Sequence, residues 1–223
     1  MQELIDRFWN AYYQPGMKAV HTKRSPKDMI LNEPDKEGWF EWKLLRGKLD
    51  YRDYKKFEKK YKIKFPNSFI EWHRSKFFLD GDCSFVRLPF SPSNDPLSEI
   101  IDNLNYDIAK DLIKQKLYPF ASEGNDAGPY VFDGRQKVQN NEFPIRFYEL
   151  DFLGDIEGLG PIIFSSFTKL LECTAYFLEQ EDKKDFEIYP DFKEIDPEGA
   201  GKDGAGYWDM WTVMQRENFE YFS

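Results

Sequence analysis

Aromatic side chains constrain this sequence more than any other feature: 21 Phe, 13 Tyr and 6 Trp among 223 residues. Each such ring takes roughly 150–250 Å² out of water when it packs. A chain so supplied can bury a core, which excludes global disorder. The rings are scattered between charges, and no apolar run approaches the ~20 residues of a membrane span. The opening MQELIDRFWNAYY carries Glu3 and Asp6 and lacks a basic lead, so it does not read as a secretory signal. Cys83 and Cys173 do not make a disulfide framework and fit reduced, buried thiols. A cytoplasmic protein is the expectation. Length favours one domain with extensions: a lead-in over 1–38, a main domain over 39–180, and an acidic, aromatic extension over 181–223.

Hydrophobic spacing divides the chain by texture. Leu4, Ile5, Phe8, Trp9 and Tyr12 form a short amphipathic stretch. Tyr54, Phe57 and Tyr61 predict a helix from Asp50, a suitable N-cap, to about Tyr61. Pro66 opens a second helix carrying Phe69, Ile70, Trp72 and Phe77, which Gly81 ends, and Cys83–Phe90 reads as a strand. Leu97, Ile101, Leu104, Ile108 and Leu112 predict one long helix from Asp95-Pro96 to about Lys116. Short apolar runs then follow at 118–121, 130–132, 144–150 and 162–164, separated by turn residues that include Asp133-Gly134. A last helix starts at Ser166, with Phe167, Leu170, Leu171, Thr174, Phe177 and Leu178 inward. Helices followed by a run of strands describe an α+β fold with helices against a mainly antiparallel sheet.

Charge is unevenly spread. Residues 1–111 hold 20 Lys and Arg against 18 Asp and Glu, whereas residues 112–223 hold 11 against 22. An acidic half repels phosphate backbones and attracts basic surfaces, so a basic protein is an easier partner for it than nucleic acid. The ten basic residues between 43 and 64 lie largely off the apolar stripe and read as a solvated helix face.

Catalytic equipment is sparse. The chain has two histidines, His21 and His73, and no HExxH, CxxC or GxSxG motif, so neither zinc chemistry nor a nucleophile elbow is expected. Cys83 with His73 is a conceivable nucleophile pair, but a buried structural thiol is the preferred reading. Gly199-Ala200-Gly201-Lys202-Asp203-Gly204 matches GxGxxG yet follows Asp196-Pro197 instead of a strand, and Asp203 replaces the Ser or Thr of a phosphate loop. It reads as a flexible linker. Asn125 and Asp126 lack calcium-loop spacing. No cofactor or metal is expected.

The ordered segments resemble the SUKH superfamily, whose bacterial members are largely immunity proteins against polymorphic toxins. The resemblance is carried by Phe57-Glu58-Lys59-Lys60-Tyr61-Lys62-Ile63-Lys64-Phe65-Pro66, by Phe69-Ile70-Glu71-Trp72 with Gly81-Asp82, by Leu117 to Asn125 (LYPFASEGN), by Tyr130-Val131-Phe132-Asp133, and by Ser165 to Leu171 (SSFTKLL). It covers roughly residues 39–180, leaves the helix at 96–116 as an insertion, and has no counterpart for the last 43 residues. The resemblance implies a non-catalytic protein that binds and blocks a cognate protein toxin, frequently a nuclease. The acidic residues that could meet a basic toxin surface are Asp126 with its neighbour Asn125, Asp133, Glu149, Asp151, Asp155 and Glu157. Trp208 and Trp211 are secondary anchoring candidates, with core packing preferred. A regulatory protein-binding scaffold and, on acids and aromatics alone, a carbohydrate-active enzyme are the competing expectations.

Overall fold

A computed structural model describes residues 1–136 and 141–222. The chain is α+β, and a five-stranded antiparallel sheet organises the described residues. Helix α1 (Gln2–Tyr12) turns Ile5, Phe8, Trp9 and Tyr12 inward. Strand β1 (Lys18–Val20) pairs with β2 (Trp39–Glu41), and β3 (Leu45–Arg46) with β4 (Lys76–Phe77).

Helix α2 (Tyr51–Tyr61) begins where its cap predicts. The Asp50 carboxylate accepts the Arg52 N–H at 2.8 Å, and Asp53 accepts the Asp50 N–H at 3.0 Å, so two amides that the helix cannot satisfy are bonded. Lys55, Lys56, Lys59 and Lys60 are exposed. Helix α3 (Asn67–His73) is shorter than expected, and Phe77 lies on β4 instead of on the helix.

The expected strand at 83–90 reduces to β5 (Val86–Arg87) because the chain doubles back on itself. Cys83 N–H bonds Val86 O at 2.9 Å and Leu88 N–H bonds Gly81 O at 2.9 Å. A Cβ on Gly81 would sit 1.9 Å from Leu88 O, so only glycine permits that approach.

The single helix expected over 96–116 is two helices, α4 (Ser98–Asn105) and α5 (Ala109–Lys114). Its apolar stripe continues through the break, but the two halves serve different clusters. Ile100 and Leu104 join the main core, while Ile108 and Leu112 pack with Leu117, Val131 and Tyr148 in a smaller one.

Strands β6 (Leu117–Glu123), β7 (Pro129–Asp133), β8 (Ile145–Tyr148) and β9 (Leu159–Phe164) complete the sheet in sequence order after β5, each antiparallel to the next. Alternation along β7 sends Tyr130 and Phe132 to one face and Val131 to the other. On the first face Phe120 and Phe132 stack at 3.9 Å, and Phe69 meets Phe120, Phe132 and Phe167 edge-on. Helix α6 (Phe167–Leu178) covers that face, capped as expected by Ser166, whose hydroxyl accepts the Lys169 N–H at 3.2 Å.

The main core crosses both expected boundaries. Trp9 of the lead-in stacks on Trp72 at 5.9 Å, and Trp208 packs against Phe85, Phe164 and Phe192. Residues 181–222 hold α7 (Asp185–Ile188), α8 (Phe192–Ile195), a π-helical turn at Gly199–Asp203 and α9 (Ala205–Phe222). The glycine-rich segment is therefore not a linker. The buried Asp196 carboxylate binds Ser165 N–H at 2.7 Å, Ser165 Oγ at 2.6 Å and Gly199 N–H at 3.2 Å. A Cβ on Gly199 would stand 2.2 Å from Ser165 N. Trp208 and Trp211 are fully buried, and Trp208 Nε1 donates to Ile163 O at 3.1 Å. They are core residues. No helix among the described residues is long and apolar enough to cross a membrane.

Candidate functional site

Two loops at one end of the five-stranded sheet gather six of the seven residues singled out from the sequence. The first joins β6 to β7 and carries Asn125 and Asp126, both exposed. Glu123, itself buried, holds it from below: its Oε2 accepts Asn125 N–H at 2.7 Å and Ala127 N–H at 3.3 Å. Burial pushes the Glu123 carboxyl above the usual range, and those two amides oppose the shift. Asp126 adopts a left-handed backbone (φ +63°) and pairs with Arg87, which also donates to Gly124 O at 2.7 Å.

The second loop, 149–158, leaves β8 and returns to β9. Its ends meet where Glu149 N–H donates to Gly158 O at 2.9 Å, which makes it a closed surface loop. Leu153 stands at the tip with φ +49°, a conformation that costs a non-glycine residue about 1–3 kcal/mol. Surrounding bonds hold it there. Tyr148 Oη accepts Gly154 N–H at 2.8 Å and donates to Asp155 O at 2.7 Å, and Gln115 Nε2 donates to Gly154 O at 2.7 Å. The Asp155 carboxylate accepts Glu157 N–H at 3.1 Å.

The loops touch. Leu150 N–H donates to Ala127 O at 3.1 Å, and Gly128 approaches Tyr148 O so closely that a Cβ there would lie 1.9 Å away. Helix α5 buttresses the pair, since Asp111 Cβ lies 3.1 Å from the position of a Cβ on Gly154. Between the loops and the α4–α5 break is a cavity of about 310 Å³, lined by Tyr106, Asn103, Asp126 and Leu150 among others.

The outer surface combines charge with exposed apolar groups. Glu149, Asp151, Asp155 and Glu157 are exposed, and none of them forms an ion pair with another described residue. Between them stand Phe152, Ile156 and Leu153, the last 77% exposed. An unpaired acidic rim around a held apolar tip is what a basic, partly apolar partner surface would complement. No protein-family model matches the chain, and no curated protein matches it significantly.

Asp133 does not belong to this surface. It occupies the opposite end of β7, fully buried, where Arg135 donates to it through Nε and Nη2 at 2.8 Å each and Arg146 through Nε at 2.9 Å. Burial raises its pKa, but the Arg135 hydrogen bonds and the two guanidinium charges outweigh that and hold the carboxyl below its usual range. Its expected role as a partner contact is corrected to an internal ion pair. The missing signal was Arg146, thirteen residues on in sequence and adjacent only once β7 and β8 pair.

The other chemical candidates resolve into structure. His73 is fully buried, bonded through Nδ1 to Tyr54 Oη at 2.6 Å, and burial lowers its pKa to about 3. Cys83 Sγ donates to Gly81 O at 3.7 Å while His73 bonds Tyr54, and burial pushes the thiol up, the reverse of an activated nucleophile. Among the described residues no group of three His, Cys, Asp or Glu side chains could hold a metal ion. Sequence reasoning missed the apolar members of the surface, Phe152, Leu153 and Ile156. They share with Leu150 an acid-rich run that Gly154 interrupts and Gly158 closes, which marks a loop but not which of its apolar side chains stay exposed.

Proposed function

We propose that this protein is a non-catalytic binding protein that neutralises a cognate protein toxin, and that it engages the toxin through the 149–157 loop together with Asn125 and Asp126. The observation that carries the reading is Leu153, held exposed in a costly backbone conformation inside a ring of carboxylates that pair with no described cation. Preorganisation of that kind removes ordering cost from association, and the acids would steer a basic surface toward it. The α+β architecture and the SUKH-like segments support the same reading, as does the acidity of residues 112–223. A nuclease is the favoured class of toxin because its substrate cleft must be basic to hold a phosphate backbone.

Co-expression with the protein encoded by the neighbouring reading frame tests this directly. Growth should be rescued and the two chains should co-purify; a toxic neighbour with neither rescue nor complex would refute the proposal. The association rate should fall as salt rises, because exposed charges are screened over about 8–10 Å at physiological ionic strength. A flat salt response would remove the electrostatic part.

A further inference from the structure

Strand β1 leaves an open edge beside a groove. His21 N–H donates to Gly38 O at 2.7 Å and Trp42 N–H to Met17 O at 3.2 Å. With Ala19 opposite Phe40, these bonds fix the parity of the ladder: positions 17, 19 and 21 face β2. Lys18 and Val20 therefore aim their N–H and C=O groups away from it, and β1 pairs with no other described strand. The outer edge of β2 is filled by contrast. Leu31 N–H bonds Glu41 O at 2.8 Å, Asp35 N–H bonds Trp39 O at 2.9 Å, and Glu41 N–H bonds Asn32 Oδ1 at 2.7 Å.

The groove along the open edge has a volume of about 740 Å³, in the range of real ligand sites. Phe40, Leu79, Phe90 and Ile101 give it apolar surface, Lys23 and Arg24 bring cations from the strap after β1, and Glu99 and Asp102 bring carboxylates from α4. None of these four charged groups has an ion-pair partner among the described residues. Burial and the nearby Asp102 push the Glu99 carboxyl above its usual range, a cost that an incoming cation would relieve.

We infer that this groove binds an extended peptide segment of a partner protein, which adds a strand to β1 at Lys18 and Val20 and carries an acid for Arg24 and a base for Glu99. Main-chain bonds at an open edge give affinity without sequence preference, while the charged and apolar lining selects side chains. The short strand and the exposed Lys18 also serve to blunt the edge against aggregation. That protective role does not require a charged groove beside it. The inference uses residues other than the toxin-facing loops and stands whether or not that proposal holds.

Panning a phage library of random heptapeptides against the full chain provides the test. Enriched peptides should combine an acid and a base around β-branched or aliphatic residues. Val20→Pro deletes one outward N–H without touching the β2 ladder and should weaken their binding about tenfold, as should the charge reversal Arg24→Glu. Arg24 is exposed, so its variant decides the matter if Val20→Pro does not fold. No enriched peptide, or peptides that bind Arg24→Glu as tightly as the parent, would overturn the inference.

Discussion

The two ends of strand β7 carry acids that look alike in sequence and do opposite work. At the end marked by Asp133 the carboxylate is fully buried between Arg135 and Arg146, with every contact internal. At the other end the chain passes through Asp126 and, on the neighbouring connection, through Glu149, Asp151, Asp155 and Glu157, all exposed. What separates them is the supply of partners. Two arginines reach Asp133, whereas no described cation reaches the four acids of the 149–157 loop. An acid whose charge is spent inside the fold contributes stability. One left unpaired on a rigid, partly apolar loop is available for recognition.

That contrast can be broken most severely at Asp133. Replacing it with Ala strands two arginines and should cost about 3 kcal/mol, read as a lower denaturation midpoint. The wild-type contribution has a defined pH direction. Because the folded pKa is depressed, the stabilisation is present above the ordinary aspartate value of about 3.9 and is lost as pH falls below it. The difference in stability between wild type and Asp133→Ala should therefore shrink on acidification; a constant difference would show that the charge is not what matters there.

At the opposite end, Tyr148→Phe removes the hydroxyl that ties Gly154 N–H to Asp155 O and should cost about 1–3 kcal/mol. Amide exchange should quicken at Gly154 while Asp133 and its neighbours stay protected. Exchange that rises equally at both ends would mean that the loop is not an independently braced unit.

Leu153→Asn is a finer probe. Asparagine tolerates the left-handed conformation that leucine resists, and little burial is lost from a side chain 77% exposed. Stability should rise by about 1 kcal/mol while partner affinity falls, a pairing that packing alone does not produce. The smallest stability effect belongs to Asp151→Asn with Asp155→Asn, within about 0.5 kcal/mol of wild type by thermal denaturation. A larger loss would place these acids with Asp133 instead of apart from it.

Much of this architecture was legible in the sequence because local physics decided it. Asp50 and Ser166 start their helices as their capping chemistry predicts, and the apolar runs after residue 117 do form an antiparallel sheet. Two failures came from distant contacts. The stripe from Leu97 to Leu112 shows no interruption, yet the helix breaks so that its second half can reach the smaller cluster under the acidic loops. Gly199 reads as flexibility but is required by the approach of Ser165. Four of the acids on the surface were visible as a dense run from 149 to 157. The Leu153 tip was not, since its exposure depends on Tyr148 and Gln115 fixing the loop.

The central claim concerns which charged surface meets the partner, and matched charge reversals test it most directly. Glu149→Lys with Asp151→Lys and Glu157→Lys, which spares the Asp155 carboxylate that caps Glu157 N–H, should abolish rescue in the co-expression assay and leave thermal stability near wild type. Lys56→Glu with Lys59→Glu and Lys60→Glu, on the exposed face of α2, should leave rescue intact. Rescue that survives the loop reversal, or that is lost equally with the α2 reversal, would contradict the account.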